Sequence, residues 1–113
     1  MAVTKDLIAA SATPLILSIL SKSENYGYAI IKRVHELSNG QMQWTDGMLY
    51  PVLHRLEDQK LIQSKWRTSE TGRKRKYYKI NKKGAKALKE QRNQWEVVYS
   101  TLIQLWENKP CLT

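Results

Sequence analysis

The sequence predicts a mainly α-helical chain with a small two-stranded antiparallel wing and one long closing helix. Three observations predict this. Three short segments repeat apolar residues at intervals of three and four, the period of a helix with one buried face. A later segment alternates its side chains on both sides of Thr71-Gly72, the period of a half-exposed hairpin. From Asn81 to Asn108 there is no proline, and the only glycine, Gly84, falls in the first turn. With 113 residues the chain has material for one core and hardly for two.

Each element follows in order. In helix 1, Leu15, Ile16, Ile19 and Leu20 form the buried stripe. Two starts fit it: Thr13 as N-cap with Pro14 at the first helical position, or a start near Lys5 with Pro14 inside. Ser23-Glu24-Asn25 is a polar break. Helix 2 runs from about Tyr26 to Ser38, with Ile30, Ile31 and Val34 inward, and Asn39-Gly40 stops it. Thr45 or Asp46 caps helix 3, which runs to about Lys60 with Leu49, Val52, Leu53 and Leu56 on its buried face. Pro51 removes one backbone bond and bends the first turn. The first strand places Gln63, Lys65 and Arg67 on one face and Ser64, Trp66 and Thr68 on the other. The second, Lys74 to Ile80, puts Tyr77 and Tyr78 on opposite faces. Trp66 is expected to pack under the wing, Trp44 to anchor the approach to helix 3, and Tyr26 to join the core.

The last helix should be about 40 Å long. Leu88, Trp95 and Leu102 are spaced by seven, Arg92, Tyr99 and Trp106 fill the alternate positions, and Val98, Ile103 and Leu105 widen the apolar stripe. Its last three turns project beyond anything a small head can cover. Their expected partner is the same helix of a second copy. Folding back onto helix 1 is the other reading, and both can hold at once. The division expected is 1–80 for the head and 81–113 for the helix and a short tail.

Charge is unevenly placed. Formal net charge is +9, and residues 64–92 alone carry twelve basic and two acidic side chains, so the remaining residues net −1. One block holding the whole excess implies a polyanionic partner. Cys111, the only cysteine, excludes an intramolecular disulfide and fits a reducing cytoplasm. No Cys/His cluster suggests a metal, and no cofactor is expected. His35 and His54 lack a nucleophile and orienting acid at a signature spacing, and there is no phosphate-binding loop, so an enzyme is not expected. The apolar run from Leu7 to Leu20 is too short to span a bilayer, Pro14 interrupts it, and no clear small-x-small cleavage site follows; neither a membrane span nor a signal peptide is expected.

Three short helices, a cationic hairpin and a long helix make the winged helix-turn-helix order, with helix 3 in the major groove and helix 2 bracing it. Three motifs then carry a resemblance: Asn25-Tyr26-Gly27-Tyr28-Ala29-Ile30, Gly47-Met48-Leu49-Tyr50-Pro51-Val52-Leu53-His54-Arg55-Leu56-Glu57 and Gly72-Arg73-Lys74-Arg75-Lys76-Tyr77-Tyr78. In this order and spacing they resemble the PadR family of bacterial transcriptional regulators, over residues 10 to 106. Ala29 departs from the acidic residue common there. The single C-terminal helix looks like the short subgroup, which implies a homodimeric repressor on a pseudo-palindromic operator.

Candidate contacts to double-stranded DNA are Thr45, Tyr50, His54 and Arg55 on helix 3, with Tyr50 equally readable as a packing tyrosine. Free amides at the helix 3 N-terminus attract anions. Arg73, Lys74, Arg75 and Lys76 on the wing, flanked by Lys65, are candidates for phosphate contacts, as are Tyr28 and Lys32 on helix 2. The expected dimer seam is Leu88, Trp95, Val98, Tyr99, Leu102, Leu105 and Trp106. Trp95 and Tyr99 either close that seam or leave a slot for a planar apolar small-molecule effector, as the resemblance to multidrug sensors within the subgroup implies. A basic dimeric scaffold for a protein or membrane surface, and an RNA-binding winged helix, are the rival readings.

Overall fold

The computed structural model describes residues 1–107; Cys111 and the predicted helix end at Asn108 lie outside them. α1 spans Lys5–Lys22. Of the two starts the earlier one is found. Thr4, not Thr13, is the N-cap, its Oγ1 accepting from the Leu7 amide at 3.4 Å, and Pro14 lies inside the helix. The early start adds Ile8 and Ala12 to the buried stripe of Ile16, Leu17 and Leu20, which lengthens the face that α1 lays against the core.

The polar break holds a short strand. β1, Asn25–Tyr26, pairs antiparallel with Tyr78 and Tyr77, so the expected two-stranded wing is part of a three-stranded sheet. Two residues are too few to show a period, and only the partner strand defines them. Tyr26 is half-buried and caps α2, Gly27–Leu37, which begins one residue later than expected.

α3 is Asp46–Asp58, with Thr45 as N-cap accepting from the Met48 amide at 3.3 Å. Leu49, Leu53 and Leu56 are buried, and Val52 is half-buried. The helix stops because Lys60 takes a left-handed conformation at φ 64°, which lets the Leu61 amide donate to the Leu56 carbonyl at 3.0 Å. β2, Ile62–Thr68, and β3, Lys74–Ile80, pair from Ile62↔Ile80 to Thr68↔Lys74, and the sheet order is β1-β3-β2. Gly72, at φ 82°, supplies the turn.

The register corrects one expectation. Ile62, Ser64 and Trp66 share the face turned to the core, but burial falls along it, and Trp66 is 66 % exposed. Toward its tip the hairpin stands off from the helices, so Trp66 faces an open cleft and not a packed core.

α4 spans Lys82–Trp106. Its junction with the head is tightly tied. Asn81 Oδ1 caps the helix by accepting from the Gly84 amide at 2.9 Å, and Asn81 Nδ2 donates to the Lys60 carbonyl at 2.7 Å. The Asn81 amide donates to the Leu61 carbonyl at 3.2 Å. A Cβ on Gly84 would strike that same carbonyl, so α4 approaches the end of α3 as closely as backbone allows. α1 packs on the first part of α4, where Leu88 and Trp95 are half-buried. Beyond it Val98, Tyr99, Leu105 and Trp106 are exposed, and the described chain extends 59 Å.

Candidate nucleic-acid interface

Tyr50, His54 and Glu57 lie at i, i+4 and i+7 on α3, one stripe beside the buried one. Ser64, Trp66, Lys74, Lys76 and Tyr78 share one face of the hairpin by register. Helix stripe and hairpin face meet across a cleft of about 740 Å³, whose lining includes Tyr28, Tyr50, His54, Trp66, Lys74 and Lys76. Gly27 opens its inner end. A Cβ there would fall 2.8 Å from Tyr50 Cζ, so the missing side chain is what lets the Tyr50 ring lie against α2. Tyr50 therefore does both things read for it: it packs against α2 and keeps an exposed edge in the cleft.

At the back of the cleft Tyr78 is 1 % exposed, and its hydroxyl finds no hydrogen-bond partner among the described residues. Burial, then the proximity of Tyr50 and Glu57, pushes its pKa up to about 12.

The wing cations fall into two groups. On the outer face, Arg67 is ion-paired with Glu24 and stacked over Tyr77 at 5.1 Å. Arg75 lies 4.4 Å from the centre of the Tyr26 ring, and Tyr26 meets Tyr77 edge-on at 5.3 Å. On the inner face Lys76 stands 3.9 Å from Glu57. Lys65, Arg73 and Lys74 are exposed and have no ion pair among the described residues. Arg73 and Lys74 line the cleft together with Arg75 and Lys76; Lys65 does not.

The other candidates separate from this group. Arg55 does not line the cleft, and its Nη2 donates to Thr13 Oγ1 on α1 at 3.1 Å. Thr45 is exposed at the head of α3, its hydroxyl used as the cap. Lys32 lies in a second hollow with Trp44, which is buried as expected, and Tyr28 borders both this hollow and the cleft. Tyr26, Gly27, Trp66 and Tyr78 are the cleft residues that sequence reasoning did not assign to the site, and Glu57 stands beside the cleft through its contact with Lys76. Glu57 was within reach of it, being on the Tyr50–His54 stripe; Trp66 was not, because alternation gives a face and not the length of an overhang. Among the described residues there is no group of three or more side chains suited to a metal, and no helix is long and apolar enough to cross a membrane.

A helix-turn-helix of α2 and α3, backed by a β2–β3 wing, defines a winged helix-turn-helix protein. Residues 16–90 match the transcriptional regulator PadR-like family, and the chain belongs to that family. The transcriptional regulator YqjI of Escherichia coli is 36 % identical over 84 residues, covering 74 % of this chain and 39 % of that protein. Among solved structures, a PadR-like transcriptional regulator from Bacillus cereus is similar with a TM-score of 0.81 at 30 % identity, over 93 % of this chain and 100 % of that one. A transcriptional regulator from Clostridium thermocellum gives 0.82 at 28 % identity, over 91 % and 97 %. The family is one of DNA-binding regulators and not of enzymes.

Proposed function

We propose that the protein is a homodimeric transcriptional repressor acting in the cytoplasm on a pseudo-palindromic operator. In this reading residues 1–80 form the DNA-binding unit, and 81–113 the dimerisation helix and its tail. α3 enters the major groove with Tyr50 and His54, and Thr45 at its head meets the backbone. Arg73, Lys74 and Arg75 hold the adjoining phosphates, with Lys65, Tyr28 and Lys32 on the flanks. The carrying observation is the meeting of a helix stripe of hydrogen-bonding side chains with wing cations that have no ion pair among the described residues, in one cleft. Phosphate contacts fix register, and base contacts read sequence.

The test is a competition titration of duplex DNA against RNA of the same sequence, with operator fragments recovered by binding genomic DNA. The expected result is a preference for duplex DNA and a specificity ratio that His54→Ala lowers. Equal binding to RNA, or a ratio untouched by His54→Ala and Tyr50→Phe together, would move the reading surface elsewhere.

Release of the operator is assigned to a planar apolar small molecule between α1 and α4. A groove of about 390 Å³ there has Pro14, Leu88, Trp95 and Tyr99 in its lining, and this supports the reading. Trp95→Ala should abolish quenching of tryptophan fluorescence by planar apolar compounds while leaving operator binding mostly intact. Compounds that neither quench the wild-type protein nor weaken its operator complex would remove the effector from the scheme.

A further inference from the structure

One carboxylate joins three elements of the head. Glu57 lies in the last turn of α3. Its Oε2 accepts a hydrogen bond from Ser64 Oγ on β2, and its Oε1 lies 3.9 Å from Lys76 Nζ on β3. The register explains the convergence. Ser64 stands opposite Tyr78, and Lys76 opposite Trp66, so Ser64 and Lys76 point to the same face of the hairpin, toward the helix. Lys76 Nζ also stands 5.7 Å from the centre of the Tyr78 ring. Glu57 and Lys76 are each about one-third exposed, at 32 % and 30 %. Lys76 is thus drawn inward, whereas Arg73 and Lys74, a few residues before it on the same hairpin, are exposed without an ion pair among the described residues.

We propose that Glu57 is a positioning residue for DNA recognition: it latches the wing to the end of the recognition helix and keeps Lys76 out of the set of phosphate-binding cations. The inference rests on the DNA-binding reading above. A carboxylate beside a half-buried ammonium cancels most of its field toward a phosphate outside. A cation so paired releases no counterion when DNA binds, so the wing's contribution to salt dependence comes from its cations without an ion pair among the described residues, Arg73, Lys74 and Arg75 among them. The hydrogen bond to Ser64 does a separate job. It fixes β2 against α3, and with it the distance between the helix in one groove and the wing tip on the backbone.

The two jobs separate by substitution. Glu57→Gln keeps an acceptor for Ser64 and removes the charge. Lys76 is then free, and the slope of log affinity against log salt should steepen by about 0.9 per subunit. Glu70→Gln makes the same change of charge at the wing tip, on a side chain with no ion pair among the described residues, and should leave the slope nearly unchanged. If Glu70→Gln steepens the slope as much as Glu57→Gln does, the effect is net charge and the proposal is overturned; an unchanged slope in Glu57→Gln overturns it as well. The latch is read without DNA. Glu57→Ala should raise hydrogen exchange of the β2 and β3 amides severalfold in the free protein, and Glu57→Gln should leave it near the wild-type rate. Exchange unaffected by Glu57→Ala would sink the latch. A wild-type protein that binds no duplex at all overturns the DNA reading and the salt claim together, while the exchange result still decides the latch.

Discussion

The Tyr78 hydroxyl, like Trp44 Nε1, is a costly polar group in the head, because it is buried and makes no hydrogen bond among the described residues. Its pKa rises from 10.0 to about 12, with burial the largest cause. The neutral phenol is the form that the fold favours. The associated stability is fully present below pH 10 and is lost as pH rises through 12, to the extent of about 2–3 kcal/mol. Tyr78→Phe should therefore match or slightly exceed the wild type in urea denaturation at pH 8. It should also lose less stability than the wild type between pH 10 and 12; lysine titration is common to both proteins and cancels in the comparison. A loss well above 1 kcal/mol at pH 8 would show that the hydroxyl has a partner after all. Single residues were unevenly legible in the sequence. Leu49, Leu53 and Leu56 announce themselves by spacing. Tyr78 shows only that it opposes Tyr77, and its burial depends on elements distant in the chain, β1 paired beside its strand and α1 packed against it.

The elements were more legible than their edges. All four helices and both hairpin strands follow from period and caps, since a helix or hairpin of several turns or pairs repeats its signal. The start of α1 stayed open because two cap-like threonines compete, and only Thr4 is used. β1 has no signal of its own. The seam between elements was also invisible, and it is where a prediction belongs. Gly84 looks like an ordinary glycine in a first turn, yet a Cβ there would meet the Leu61 carbonyl and come within 2.7 Å of Ile80 Cγ1. Neither the loop backbone nor the capped helix can easily withdraw. Gly84→Ala should destabilise the protein by about 3 kcal/mol, the upper range for overpacking, despite alanine's better helix propensity. Urea denaturation that finds the variant as stable as the wild type would show that the seam yields.

At the scale of the whole molecule, α4 carries an apolar stripe that one chain leaves uncovered: Val98, Tyr99, Leu105 and Trp106 are all more than half exposed. The seven-residue spacing made this stripe legible, because a projecting helix has no tertiary neighbours to override its period. Leu102→Glu with Trp106→Glu should give monomers, and the wild-type protein should scatter light as two chains of 13.2 kDa. A wild-type mass of one chain would reject the dimer. The tied junction at Asn81 and Gly84 has a mechanical consequence for such a dimer. α4 is a beam of about 37 Å, tied at its root to the Lys60 and Leu61 carbonyls just after α3. A tilt of about 5° at its root is a displacement of about 3 Å at its far end, close to one base step of duplex DNA. Run the other way, in the proposed dimer crowding or shrinking a side chain at Leu105 or Trp106 would tilt each head and swing the two α3 helices apart or together. In the proposed dimer the accepted spacing of half-sites would be set at the end of the beam farthest from the DNA, and one substitution there would retune it while every residue near the nucleic acid stays the same.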